Sequence, residues 1–340
     1  MKKILIIGGT GTISSWITRH FAQDPLCDVY VMNRGRKNDQ LPQNVSVLIA
    51  DINQKDQVEA AIQNHRFDSV INFVLFTPDQ ARQNIELFRK KTDQFIFIST
   101  VATLNHEGHL LLSETSPQGN EYSEYGRNKE ACEIIFLEAY QHEGFPVTIV
   151  RPSQTYGEDR IPLSIKGKTC WSVIDRMLRG KEVIIHGEGQ SVWVSTHAQD
   201  FAKGFVGLVA NRKTLGQTYQ IMSDKAHTWD DIYLELARLL KVEYRPVYIP
   251  SDILAKSASY DLLTSIQGDK HFSCLYDTRK IKALFPDFHC EIDIQAGLKL
   301  YLDYMEEHPE LKLEDAAFDV WCDKLINRYK EATENLMENL

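Results

Sequence analysis

The chain has 340 residues, 43% hydrophobic and 25% charged, with a formal net charge of −9. That mix belongs to an ordinary globular protein, long enough to bury a core without disulfides or a structural metal, and its acidity argues against a protein that grips nucleic acid through phosphates. The six cysteines form no CxxC pair, strand residues begin at Lys3 without a leader, and no apolar run nears the roughly 18 residues of a bilayer span; the expectation is a cytoplasmic chain with free thiols and no membrane partner.

Residues 3–8 (KILIIG) are a short apolar run closed by glycine and read as a buried strand. Residues 12–23 carry Ile13, Trp16, Ile17 and Phe21 at helical spacing. Strands follow at 28–33 and 45–50, a helix at 54–64, a strand at 69–74, a helix at 79–91, a strand at 94–99, a long helix at 122–142 and a strand at 147–151. Strands alternating with helices imply an α/β fold, a doubly wound parallel sheet of the Rossmann type. This domain is expected over residues 1–157, with some return of the chain within about 183–225. Beyond it glycine and proline recur and the elements shorten, so residues 158–340 read as a smaller, mixed α/β substrate domain. Its tail, 313–340, places Phe318, Trp321, Leu325, Ile326 and Tyr329 near one face, as in a helix packed on the body.

The turn between the first strand and the first helix is Gly8-Gly9-Thr10-Gly11-Thr12-Ile13-Ser14. Gly8 permits a tight turn, Gly11 lets the backbone approach a pyrophosphate, and the helix N-terminus offers N–H groups and partial positive charge. Ser14 takes the place of the usual third glycine and is small enough for close helix–strand packing. A strand before the turn and a helix after it supply the context that a dinucleotide site requires. At the end of the second strand, where an acid would bond the ribose 2′-hydroxyl of NAD, the chain has Asn33-Arg34-Gly35-Arg36. Guanidinium groups suit a 2′-phosphate, which favours NADP over NAD; the alternative is a solvated loop whose Arg34 covers the adenine face. Asp51, followed by Ile52, has two readings, acceptor for the adenine amino group or helix N-cap.

Tyr125 and Lys129 open the long helix four residues apart, on one face. A phenol is a poor acid or base near neutrality, but an adjacent ammonium and a cationic nicotinamide both favour the phenolate. The phenol can then exchange a proton with a substrate hydroxyl or carbonyl. Ser99 and Thr100 end the fifth strand, 26 and 25 residues before Tyr125. A hydroxyl there can hold the reacting oxygen, or cap the strand end.

The ordered segments GGTGTIS, NRGR, ADI, FIFISTVAT, YGRNK, IVRPSQTYGE, HGEGQ and STHAQDFAKGF resemble the extended short-chain dehydrogenase/reductase superfamily, and within it the NAD-dependent epimerase/dehydratase family, over about residues 1–225. The resemblance implies a triad of Thr100, Tyr125 and Lys129, with Lys129 also bonding the nicotinamide ribose. It implies cofactor contacts from Asn72-Phe73-Val74 after the fourth strand, a passage at Arg151-Pro152 past the nicotinamide, and a homodimer through the helices at 79–91 and 122–142. Three positions depart from the family pattern: Ser14, Asn72-Phe73-Val74, and Thr103-Leu104 where an aromatic residue is common. The turn and the NRGR segment also look similar to a chloroplast RNA-binding branch, in which the fold is kept for binding; the Tyr125–Lys129 pair counts against that reading.

In the second half, Lys166, Lys168, Arg176, Arg179 and Lys181 crowd together with only Asp175 opposing, a candidate grip for the diphosphate of a nucleotide-sugar or else a set of solvated charges. Trp171 and Trp193 can stack a base or sugar, or serve the core. His197 reads as a capping or packing residue before a helix at about 200–209. His106 and His109 lack an acidic partner, so no metal is expected. The expected activity is NAD(P)-dependent oxidoreduction or isomerisation of a secondary alcohol or ketone, as a nucleotide-sugar epimerase or dehydratase. The alternatives are a simple NADP-dependent ketoreductase and a non-catalytic NAD(P)-binding regulatory or RNA-binding protein.

Overall fold

The computed structural model describes residues 1–339; the last residue of the expected tail, Leu340, lies outside them. The chain divides into two compact units. Unit 1 comprises residues 1–155, 196–224 and 276–291; unit 2 comprises 156–195, 225–275 and 292–340.

Unit 1 is built on a seven-stranded parallel sheet. Its strands are β1 (Lys2–Ile7), β2 (Cys27–Asn33), β3 (Ser46–Ile49), β4 (Ser69–Asn72), β5 (Phe95–Ile98), β6 (Val147–Pro152) and β7 (Thr218–Ile221), in the spatial order β7-β6-β5-β4-β1-β2-β3. The strand order reverses between β1 and β4, and ligands of such sheets bind at the carboxyl ends of the strands there. The inner strands are covered on both faces and therefore read as continuous apolar runs, such as ILII in β1 and FIFI in β5. Helices α2 (Lys55–Ile62), α3 (Pro78–Phe88) and α4 (Glu124–Glu143) supply Val58, Phe88 and Phe136 to a core with Phe95 and Phe97 on one face. Helices α1 (Thr12–Gln23) and α5 (Ala198–Val206) supply Ile17, Phe201 and Phe205 to the other, where Ile281 and Phe288 also join.

The helix starts follow from capping. Thr77 and Gln80 form a capping box ahead of Pro78 in α3, and the Ser123 side chain accepts the N–H of Gly126 in α4. At the opposite edge of the sheet from the strand carboxyl ends, Gln94 is buried and fully engaged. Its Nε2 donates to Thr148 Oγ1 (3.0 Å), Leu208 O (2.9 Å) and Thr214 Oγ1 (3.0 Å), and its Oε1 accepts from Ser69 Oγ (2.7 Å) and Ala210 N (2.7 Å).

Unit 2 has short sheets: Val183–His186 pairs in parallel with Pro246–Ile249, and Val192–Trp193 antiparallel with His227–Thr228. Trp193, Trp229 and Tyr233 are fully buried within it. The helix Ala316–Glu338 contributes Phe318, Cys322 and Ile326 to its core. Among the described residues no helix is long and apolar enough to cross a membrane.

Replacing Gln94 by Leu keeps the volume but removes five buried hydrogen bonds, although Thr148, Thr214 and Ala210 each keep another partner. An unmade buried hydrogen bond costs about 1–3 kcal/mol, partly relieved by repacking. Gln94→Leu should therefore lower the unfolding free energy by about 2–4 kcal/mol, read as an earlier urea midpoint at an unchanged slope.

Candidate functional site

The phosphate turn, the ends of β2, β4 and β5, and the start of α4 with Tyr125 and Lys129 all belong to unit 1. β1 ends at Ile7, and Gly8 turns the chain with φ +80°, a conformation that favours glycine. A Cβ on Gly8 would also lie 2.7 Å from Val74 Cγ1. Gly11 is the N-cap of α1, and a Cβ there would meet only Ser14 Oγ, at 3.4 Å. Space is thus left open at the helix start, where Thr10, Thr12 and Ile13 are half-buried. Ser14 does more than stay small: its hydroxyl donates to Gly8 O (2.6 Å) and accepts from Gly11 N (2.9 Å), tying the two ends of the turn together. The first turn of α1 carries no acid, so nothing offsets its partial positive charge.

At the end of β2, Asn33 Oδ1 accepts from Gly35 N at 2.7 Å, while its buried Nδ2 has no protein partner. Arg34 and Arg36 are exposed, and no ion pair engages them among the described residues. The carboxylate of Asp51 accepts from Asn53 N (3.0 Å) and Asn53 Nδ2 (3.2 Å). The N-cap of α2 is Gln54, so Asp51 shapes the turn before the helix rather than capping it. Ile52 is buried beside it and receives Gln83 Nε2 on its carbonyl at 3.0 Å. After β4, Asn72 Oδ1 accepts from Val74 N (2.8 Å) and Asn72 Nδ2 donates to Asn84 (3.0 Å), which sets Val74 against Gly8; Phe73 turns to the other face, toward Phe205.

The reacting end is set by the approach of α4 to the connection after β5. A Cβ on Gly126 would sit 2.2 Å from Ala102 O, so only glycine allows this contact. Asn120 Nδ2 donates to the same carbonyl at 3.1 Å. This places Tyr125 in the first turn of α4, 43% exposed, and Lys129 one turn deeper at 2%. Lys129 Nζ donates to Leu75 O (2.6 Å) and Ile98 O (2.7 Å) and lies 5.7 Å from the centroid of the Tyr125 ring. Burial pulls its ionisation down to about 8, against the opposing pull of Cys132 and Glu133. Thr100 Oγ1 accepts from Ala102 N at 3.2 Å, so it does cap the strand end, yet as a hydroxyl it keeps its hydrogen to donate. Ser99 Oγ is buried and has no protein partner. Pro152 is buried at the end of β6.

Sequence reasoning passed over the charge behind this pair. Glu133, one further turn along α4, receives Arg151 Nε (2.9 Å) and Nη2 (2.5 Å) and Gln118 Nε2 (2.9 Å), with both ions buried. The signal was present as a glutamate four residues after Lys129.

In unit 2 most of the candidate substrate residues are committed elsewhere. Arg176 is 1% exposed and bonds Asp319 Oδ1 (2.5 Å), Asp323 Oδ1 (2.8 Å) and Glu182 O (2.8 Å). Arg179 and Lys181 pair with the same aspartates. The cations are thus neutralised by the C-terminal helix, which corrects the expectation that Arg176 meets substrate. Trp193 lies in the core beside Trp229, and Trp171 is buried with Lys312 over its ring. Lys166 and Lys168 remain exposed. His197, in unit 1, is a cap: its Nδ1 accepts Gln199 N at 3.3 Å.

The turn, the buried lysine and the unpartnered Asn33 and Ser99 atoms fit a dinucleotide at this edge. The chain is 23% identical over 244 residues to the chloroplast stem-loop binding protein of 41 kDa b of Arabidopsis thaliana, covering 68% of this chain and 61% of that one. It spans about a fifth of another relative, the trifunctional UDP-glucose 4,6-dehydratase, epimerase and reductase RHM1 of the same plant, at 26% identity over 41% of this chain. Among solved structures, the UDP-glucose 4-epimerase of Thermotoga maritima with UDP-glucose superposes with a TM-score of 0.71 at 21% identity, covering 90% of this chain and 99% of that one. The dTDP-glucose 4,6-dehydratase of Bacillus anthracis in complex with NAD gives 0.72 at 19%, covering 91% and 98%. The model of the NAD dependent epimerase/dehydratase family matches residues 4–221, and the chain belongs to that family.

Proposed function

We propose that the protein is an NAD(P)-dependent enzyme that acts on a secondary hydroxyl or ketone of a nucleotide-sugar, as an epimerase or dehydratase. The observation that carries this reading is the half-exposed phenol of Tyr125 beside the buried ammonium of Lys129, at the edge where the Gly8 turn opens. The names of the structural neighbours, which include UDP-glucose and NAD, support the substrate and cofactor class.

In this reading the amides from Gly11 to Ile13 hold the pyrophosphate, and Asn33 and Arg34 meet the adenosine ribose. When bound, the nicotinamide supplies a hydride acceptor. The chain's own residues manage the proton. Tyr125 takes it from the substrate hydroxyl through its phenolic oxygen, Lys129 stabilises the phenolate, and Thr100 donates its free hydroxyl hydrogen to orient the reacting oxygen. Return of hydride to the opposite face of the ketone gives epimerisation, and return elsewhere after loss of water gives dehydration. Without return the enzyme is a dehydrogenase or ketoreductase. RNA binding, suggested by the chloroplast relative's name, is opposed by the net charge of −9 and by the intact Tyr125 and Lys129.

Tyr125→Phe should lower turnover of UDP-glucose, UDP-glucuronic acid or dTDP-glucose by about 10²–10⁴-fold while leaving cofactor affinity within twofold; unchanged turnover refutes the assignment. Arg34 and the absence of an acid at the end of β2 favour NADP. Fluorescence titration should show tighter binding of NADPH than NADH, and Arg34→Ala should erase the difference. Pairing of two copies through α3 and α4 completes the reading, since Ile134 and Tyr140 leave apolar surface exposed on α4. Sedimentation velocity should give a dimer, and Ile134→Glu a monomer.

A further inference from the structure

Lys129 carries a buried charge without a carboxylate bonded to it; its two hydrogen-bond partners are backbone carbonyls. Three aromatic faces stand around the same nitrogen. Its Nζ lies 4.8 Å from the ring centroid of Phe76, 4.9 Å from that of Phe97 and 5.7 Å from that of Tyr125. A cation over a ring face is attracted by the ring quadrupole, and more strongly where water is excluded. The rings come from three parts of unit 1: the connection from β4 to α3, β5, and α4.

Phe97 is a core residue, packed 5.1 Å from the ring of Phe136. Phe76 is different. The residue is 43% exposed, so it lies outside the core in which Phe97 is packed. Its backbone is nevertheless pinned, because Phe76 N donates to Gln80 Oε1 at 2.6 Å, within the capping box that starts α3. The ring also stands beside that of Tyr125, centroids 6.5 Å apart. One exposed aromatic side chain thus touches both members of the pair.

We propose that Phe76 is a positioning residue for the Tyr125–Lys129 pair: with Phe97 it forms an aromatic clamp that keeps the buried ammonium charged and seated beneath the phenol. This inference rests on the reading of Tyr125 and Lys129 as the reacting pair. The other groups that bear on Lys129 do not supply the same effect. From α4, Cys132 and Glu133 favour the charge, but Glu133 is already held by Arg151 of β6 in a two-point ion pair. From β5 and the β4–α3 connection come the carbonyls of Ile98 and Leu75 and the two phenylalanine rings. Burial opposes the charge and brings ionisation to about 8, close enough to neutrality for the loss of one ring to matter. The sign follows directly. A ring stabilises the protonated form, so its removal moves the ionisation of Lys129 downward, and Tyr125 loses its cationic neighbour at a lower pH.

The test is an NMR titration of the whole chain carrying lysine labelled with carbon-13 at Cε. Lys129→Met assigns the resonance and separates it from Lys270, which burial also brings to about 8. Phe76→Leu, with Phe76→Met as a second apolar replacement, should move the Lys129 midpoint down by roughly half to one unit. Phe76→Tyr should restore it. An unmoved midpoint in the leucine and methionine variants, or an equal shift in the tyrosine variant, overturns the clamp. Failure of the underlying reading shows separately, as turnover that survives Lys129→Met or Tyr125→Phe.

Discussion

An ammonium enclosed by protein is the constraint on which the functional edge of unit 1 depends. Desolvating such a charge costs several kcal/mol unless its surroundings compensate. Here the compensation comes from two carbonyls, one at the end of β5 and one in the connection from β4 to α3, and from aromatic faces. Those carbonyls are reachable because α4 lies directly on the chain after β5, and α4 can lie there because Gly126 has no side chain. The same contact brings Tyr125 to the surface one turn earlier. The conformation of Gly8 and the packing of Val74 against it then set where the phosphate turn stands relative to β4. The site is therefore a set of close backbone approaches first and a set of side chains second.

Much of this was legible in the sequence. Parallel strands covered on both faces must be apolar throughout, so β1, β4 and β5 announce themselves as short runs, and the helices between them show their buried faces by spacing. The phosphate turn is equally plain, because strand, glycines and helix are contiguous in the chain. Tyr125 and Lys129 are visible as a pair for the same local reason. Finer roles within the turn were not visible. Ser14 occupies a position where small size is the evident requirement, and its two hydrogen bonds emerge only when Gly8 and Gly11 are folded around it. Asp51 had two readings; the helix cap proves to be Gln54, and the Asp51 carboxylate accepts from its near neighbour Asn53.

Charge was the least legible quantity. The cations between residues 166 and 181 look unopposed because a linear reading sees only the nearest acids. The counter-charges of Arg176, Arg179 and Lys181, Asp319 and Asp323, stand about 140 residues later on the C-terminal helix. The apolar face of that helix marks it as packed on the body, whereas its acids carry the more informative message. Likewise Arg151 stands apart in sequence from Glu133, and only the register of β6 beside β5 and α4 joins them. Spacing rules act within an element, whereas ion pairs between elements depend on topology.

The pairing of Arg176 with the last helix also bears on how the chain comes off the ribosome. Domains generally fold as units during synthesis, the N-terminal one first. Here neither unit is complete when its first segment has emerged. One face of the unit 1 sheet waits for Ile281 and Phe288, and unit 2 leaves a guanidinium without its acids until Asp319 and Asp323 arrive. A chain of 300 residues thus lacks both acids that neutralise Arg176. Closure of unit 2 therefore waits for the helix Ala316–Glu338, and a chain cut short before Asp319 leaves the Arg176 guanidinium without either acid.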